Sequence, residues 1–343
     1  MKTGTRPRNG VVTQEIWTLF QDDLVRVEQW IRNTLSGESA DIRSTVPYVA
    51  EVTQHLFSSG GKRVRPLLLL LSSSLCGEET DERRILLASV VEFIHTATLL
   101  HDDVIDDAPI RRGRKSPRMI WGNQASILVG DYLYTKALCL ALSLKNHEIN
   151  ETLAEVTRQM TEGELLQLFR NGDPEISEED YLEIIGCKTA ALMSAACRLG
   201  GIVGGAAEEK KEALSRYGRF IGAAFQLTDD TLDYAADRDR LGKSLGNDLQ
   251  EGKITLPLLH LLRTCKDGDL RRVREIIASD QRTEKDLTFI QDLLHRNHSL
   301  EYALSLAREY AAKARGSLAP FEEPTPCYQA LMDLADFVVE RDL

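Results

Sequence analysis

Two apolar helical runs in this chain end in the same acidic pattern, and that coincidence limits the folds open to it. EFIHTATLLH runs into Asp102, Asp103 and Asp106, with Asp107 just behind; FQLT leads into Asp229, Asp230 and Asp233. Residues three and four apart on a helix share a face, so each motif gathers up to three negative charges on one side. Like charges at that spacing repel, and something positive must offset them. Arg111 and Arg112, just past a helix-breaking proline, are one source. Hard divalent cations, which take carboxylate and phosphate oxygens together, are another. Read alone, either motif would be a solvated acidic face. Two at one spacing point to a fold that clamps a strongly anionic, metal-bound group between two helices.

The 343 residues suffice for a large core. A net charge of -11 excludes a general nucleic-acid binder, whose footprint would be basic. It would also repel an anionic substrate unless lysines, arginines or metal ions cluster locally. Cys76, Cys139, Cys187, Cys197, Cys265 and Cys327 show no zinc spacing and read as free thiols of a reduced compartment. The apolar run PLLLLL is far too short to span a membrane. Residues 1–12 lack the apolar stretch of a signal peptide and read as a loose tail. A cytoplasmic protein without a transmembrane segment is expected, its domain covering 13–343.

Helical periodicity recurs along nearly the whole chain. Apolar residues from Val12 to about Leu35 mark an amphipathic helix, and a second runs from about Pro47 to Phe57. SSGGKRVRP then bunches Lys62, Arg63 and Arg65 before a buried leucine helix, a loop suited to an anion. Further helices are expected at 82–106, 124–145, 151–169, from Ser177 (with Asp180 as a capping partner) through Lys188, and 209–236. Small residues crowd 190–207, and helices continue to Leu343. His95, two turns before Asp102, reads equally as a hydrogen-bonded core histidine or as a ligand. No stretch alternates long enough for a sheet, and no glycine-rich nucleotide loop, HExxH or nucleophile elbow is present. The fold class is all-α: one domain, a helical barrel or bundle around a deep central cavity.

The motifs GGKRVRP, FIHTATLLHDDVIDDAPIRRG, GNQASILVGDYLYTKA, GELLQL, KTAALMSAAC and FQLTDDTLDY with LGKSLGNDLQEGKITLPLL follow one another in order. With them the chain resembles the trans-type polyprenyl diphosphate synthases, from about residue 20 to FVVERD near the C-terminus. The resemblance implies the all-α isoprenoid synthase fold, usually as a homodimer, and condensation of an allylic diphosphate such as farnesyl diphosphate with isopentenyl diphosphate. It implies magnesium, three ions in the usual arrangement, held by Asp102, Asp103 and Asp106 on one side and Asp229, Asp230 and Asp233 on the other. Arg111, Lys188 and Lys243 would then grip the allylic diphosphate, with Thr189, Gln226 and Lys253 nearby. Lys62, Arg65, His95 and Arg112 would bind isopentenyl diphosphate. APIRRG departs from a more usual polar run.

Product length should depend on the turn before Asp102. Family members with short products tend to carry aromatics there, whereas this chain has Ala97 and Thr98. A growing tail therefore passes, and the next barrier lies deeper, among Ile94, Val91, Leu138 and Ala141. A product of about six to ten isoprene units is expected, octaprenyl as the single best value, with transient membrane contact for its release. The alternatives are a farnesyl or geranylgeranyl synthase, a class I terpene cyclase, and a regulatory subunit. A cyclase needs no second diphosphate site, and its second motif usually mixes Asn, Ser or Thr with the acids.

Overall fold

The computed structural model describes residues 16–36, 47–58, 60–78, 80–235, 246–279, 281–321 and 324–340. The expected tail at 1–12 and Lys243 lie outside the described residues. Fifteen helices carry the labels used below: α1 Gln21–Ser36, α2 Pro47–Ser58, α3 Val64–Leu75, α4 Glu82–Ile105, α5 Pro117–Ser143, α6 His147–Arg170, α7 Glu178–Ile185, α8 Ala191–Val203, α9 Glu208–Ala235, α10 Asn247–Gln250, α11 Leu256–Thr264, α12 Asp267–Ile277, α13 Glu284–Arg296, α14 Ser299–Ser317 and α15 Pro326–Glu340. The all-α class is borne out.

The core forms where the apolar stripes meet. α4 packs against α5 on one side and α3 on the other, α3 lies on α8, and α8 lies on α9. Leu67 to Leu71 are completely buried, as are Val90, Val91, Phe93 and Ile94 of α4. That burial accounts for the apolar composition of α4, which with α5 is long and apolar enough to cross a membrane by length and composition alone.

Helix ends follow local chemistry. Asp81 caps α4 by accepting from the Arg83 amide at 2.8 Å. Ser177 and Asp180 form the expected capping box at the start of α7. Two expected starts move. α5 begins at Pro117 and is broken at Gly122, so the expected 124–145 helix is only its second part. α6 begins at His147 because Asn146 caps it, accepting from the Ile149 amide at 3.2 Å.

The expectation of no sheet needs one correction. After Asp107 the chain forms a two-stranded antiparallel ribbon, β1 Ile110–Arg111 and β2 Arg114–Lys115, with Ile110 opposite Lys115. Its turn residues Arg112 and Gly113 both have positive φ, 51° and 75°. That is the hairpin geometry that matches strand twist, and glycine adopts it without steric cost. Two residues per strand are too few for a period-two pattern to reveal.

α7 does not run on as a regular helix to Lys188. Residues Gly186–Ala190 form a π-helical turn before α8. α6 meets it closely: a Cβ on Gly163 would lie 2.7 Å from Cys187 Cβ and 2.9 Å from the Lys188 amide nitrogen. Gly163→Ala should therefore overpack this junction and cost about 1–3 kcal/mol, read as a lower urea midpoint. Gly268→Ala on α12, where nothing lies within 4 Å, should leave the midpoint unchanged or raise it.

Candidate active site

Both acidic motifs stand at the C-terminal ends of their helices. Asp102 and Asp103 occupy the last turn of α4, with Asp106 its C-cap; Asp229, Asp230 and Asp233 occupy the last two turns of α9. A helix C-terminus carries partial negative charge and disfavours carboxylates. Lysine and arginine side chains from distant segments offset it. Arg111 of β1 places Nε 2.5 Å from Asp103 Oδ1. Lys188 of the π-helical turn lies 4.0 Å from Asp102 Oδ2 and 2.5 Å from Glu164 Oε2. Lys253, beyond the second motif, reaches across to Asp106 Oδ2 at 2.8 Å and to Glu251 Oε2 at 2.6 Å. That contact joins the two motif regions.

Burial governs the protonation of these acids. It raises Asp102 to about 6, against the pull of the Lys188 ammonium. Burial also raises Asp103, whose Oδ2 is buried without a hydrogen-bond partner. Asp230 is pushed by burial to about 7, although Tyr181 Oη donates to its Oδ2 at 2.6 Å and Gln226 Nε2 to its Oδ1 at 2.7 Å. Thr189 Oγ1 in turn donates to Gln226 Oε1 at 2.8 Å. Burial and the neighbouring Asp230 and Asp233 raise Asp248 far above the usual carboxylate range. Burial opposes the charge on Lys253, but Asp106 and Glu251 outweigh it and raise its pKa.

Three cavities adjoin these groups. One of about 130 Å³ holds Tyr181, Lys188, Thr189, Gln226, Asp230 and Lys253 in its lining. A second of about 370 Å³ opens beside Asp102, Glu164 and Lys188 and runs down past Thr98, Ala97 and Ile94. Thr157, Met160 and Thr161 of α6 and Tyr134 of α5 form its other walls. Val91, Leu138 and Ala141 are not in that lining, so of the expected deeper barriers only Ile94 faces the cavity. The third, about 10 Å³, gathers Arg63, Arg111, Arg112 and His95 with Glu92. Arg65 Nη1 lies 3.1 Å from His95 Nε2. Burial and the surrounding arginines hold His95 well below its ordinary pKa, so it is neutral. Lys62 is absent from this lining: its ammonium stands 4.9 Å from the centroid of the Phe337 ring on α15.

The structure thus brings Asp102, Asp106, Lys188 and Lys253 into one contact chain, and Thr189, Gln226 and Asp230 into another. Sequence reasoning gave no role to Glu164, Tyr181, Glu251, Asp248 or Glu92. Glu164 lies in GELLQL and Asp248 and Glu251 in GNDLQEGK, both quoted motifs, whereas nothing near Tyr181 announces its contact with Asp230.

A polyprenyl synthetase family model matches residues 46–294. The chain belongs to that family. It is 40% identical over 328 residues to the octaprenyl diphosphate synthase of Haemophilus influenzae, covering 96% of this chain and 97% of that one. It is also 37% identical over 294 residues to a short chain isoprenyl diphosphate synthase of Methanothermobacter thermautotrophicus, covering 84% and 89%. A polyprenyl synthase from Caulobacter crescentus, solved with calcium and isoprenyl diphosphate, superposes with a TM-score of 0.89 at 38% identity, covering 99% of each chain.

Members of the family depend on magnesium. Among the described residues no three His, Cys, Asp or Glu side chains gather closely enough to hold an ion alone. The donor set still fits the ion, since magnesium usually binds one or two carboxylates and completes its shell with water and substrate phosphate oxygens.

The buried Asp230 gives a pH test. Folded, it keeps its proton up to about pH 7; unfolded, it loses it near 3.9. The folded chain binds more protons in that window, so the contribution of Asp230 to stability is intact below it and lost as pH rises through about 7. With divalent cations chelated, Asp230→Asn should gain on the wild type in urea midpoint between pH 5 and pH 8. An equal difference at both pH values would contradict this protonation state.

Proposed function

We propose that this polyprenyl synthetase joins farnesyl or another allylic diphosphate to successive isopentenyl diphosphates, releasing pyrophosphate and building a long all-trans chain. The observation that carries the reading is the joining of the two acidic regions, Lys253 to Asp106, above a cavity that starts beside Asp102 and descends between α4 and α6.

In this reading Asp102, Asp103 and Asp106, with Asp229, Asp230 and Asp233, hold magnesium against the allylic diphosphate, three ions in all. Bound magnesium supplies Lewis-acid neutralisation of the charge that collects on the leaving pyrophosphate. Arg111 and Lys188 exchange their carboxylate partners for phosphate oxygens, with Lys243 and Lys253 adding charge. Thr189 and Gln226 fix the orientation of Asp230. Arg65, Arg112 and the neutral His95 hold isopentenyl diphosphate without metal, and Lys62 turns in from Phe337. The allylic C–O bond breaks, the isopentenyl double bond attacks the allylic carbon, and a proton leaves the new chain. No described side chain is an evident base, and by resemblance to the family the released pyrophosphate takes that proton.

A separate arginine and histidine pocket argues against a terpene cyclase, and intact acidic motifs argue against a regulatory subunit. Residues 13–343 act as one synthase domain in the cytoplasm. The exposed apolar residues Met119, Ile120, Ile127, Leu128 and Leu142 of α5 suit a second copy of the chain. Membrane contact is transient, at product release.

Asp102→Asn or Asp229→Asn should cut turnover about a thousandfold, since weakening the charge stabilisation of the leaving group by ~4 kcal/mol has that effect. Single-turnover assays with saturating magnesium check this, and near-normal rates would remove the affected motif from the mechanism.

Overall identity does not separate long from short products, given relatives of each kind at 40% and 37%. The cavity wall supports a long one. Ala97 and Thr98 leave the way open as far as Ile94, so the product is long, about six to ten units with octaprenyl favoured. Ala97→Phe should close the cavity and shorten the product to about three or four units while early condensations stay fast. Chromatography of dephosphorylated products from isopentenyl and farnesyl diphosphates with magnesium decides it. If Ala97 only serves helix packing, the variant loses stability and its residual product keeps full length. A wild type that stops at geranylgeranyl diphosphate would overturn the cavity argument.

A further inference from the structure

One buried carboxylate faces the arginine pocket. Glu92 lies one turn before His95 on α4 and is 4% exposed. Its Oε1 accepts from Arg63 Nη1 at 2.9 Å. Arg63 is largely enclosed: its Nε reaches Glu28 at 3.3 Å and its guanidinium stands 4.7 Å from the Phe57 ring centroid. Its backbone, at φ 49°, is left-handed, just where the glycine-led loop enters α3. The loop is held from both sides, since a Cβ on Gly61 would lie 2.8 Å from Arg112 Nη1 and 3.0 Å from Arg63 Nη1.

The same carboxylate is felt by the two arginines assigned to substrate. Burial lowers Arg65 to about 10 and Glu92 opposes it; the charge of Glu92 likewise supports Arg112. Arg65 Nε is buried with no partner. Glu92 thus has three guanidiniums within its field and pairs with Arg63. A buried carboxylate deprived of its partner is costly and takes the nearest cation. Without Arg63, that cation is Arg65 or Arg112.

We propose that Arg63 and Glu92 form a positioning pair: Arg63 occupies Glu92 so that Arg65 and Arg112 stay free for a diphosphate. The inference rests on the reading that this pocket takes isopentenyl diphosphate. Neither member of the pair touches the substrate. Arg63 acts by withholding that acid from Arg65 and Arg112.

The test is a two-residue cycle read by steady-state kinetics on the full chain. Arg63→Met should raise KM for isopentenyl diphosphate by about tenfold, with kcat and the allylic KM within about twofold, the pattern of lost ground-state binding. Arg63→Met with Glu92→Gln removes the competing acid as well, and should return that KM to within about threefold of wild type. Glu92→Gln alone should stay within the same threefold, and a tenfold rise in that variant would overturn the proposal even if Arg63→Met proves insoluble. A double variant as impaired as Arg63→Met would overturn the proposal in favour of direct contact between Arg63 and the diphosphate. So would equal increases in both KM values, the mark of a general structural defect. A wild type that shows no saturation by isopentenyl diphosphate would instead remove the functional reading beneath it.

Discussion

Acidic side chains are held where their own helices oppose them. The carboxylates of α4 and α9 meet the negative end of the helix dipole, out of water, next to one another. No local interaction favours that placement, and local rules broken in this way mark functional positions. What offsets it at the first motif comes from other elements: Arg111 from the hairpin that follows α4, Lys188 from a π-helical turn, Lys253 from beyond α9. The architecture brings these cations to those acids. A chain with a net charge of -11 can then attract an anionic substrate where its cations concentrate.

These pairs suit a site that exchanges partners. Under the proposed function, each ammonium or guanidinium now on a carboxylate is a phosphate ligand in reserve, and each released carboxylate oxygen becomes available to a metal. Asp103 Oδ2, buried without a donor, is a case in point. Burial that raises Asp102 and Asp230 works against their ionised form, which a bound magnesium ion would favour.

Much of this was legible in the sequence. Helical periodicity marked nearly every helix, because burial on one face requires it, and the duplicated acids marked the site because no core or surface role explains their repetition. What escaped notice depends on backbone detail or on contacts across the fold. The ribbon at 110–115 is too short for a pattern, and the π-helical turn at Lys188 keeps an ordinary helical composition. Asn146 set the start of α6 and was overlooked, although asparagine is a favoured cap. The contact of Tyr181 with Asp230 spans 49 residues, and no spacing rule reaches so far. Lys62 was grouped with Arg65 by proximity in sequence, yet a left-handed residue between them sends the two side chains apart.

The hairpin shows how one backbone feature divides two adjacent charges. Arg111 and Arg112 are neighbours in sequence, and a regular strand would only point them to its opposite faces. A turn with positive φ at Arg112 and Gly113 separates them. Arg111 stays on its strand and meets Asp103 at the first acidic motif, while Arg112 leaves the turn toward the Gly60 carbonyl and the loop before α3. One arginine thus joins the acids, which we propose hold metal and the allylic diphosphate, and the other stands with His95 in the arginine pocket. A condensation of two diphosphates needs this asymmetry. Isopentenyl diphosphate is homoallylic and gives no stabilised cation, so only the allylic partner ionises, and under the proposed reading the acids and their metal are needed on that partner's side alone.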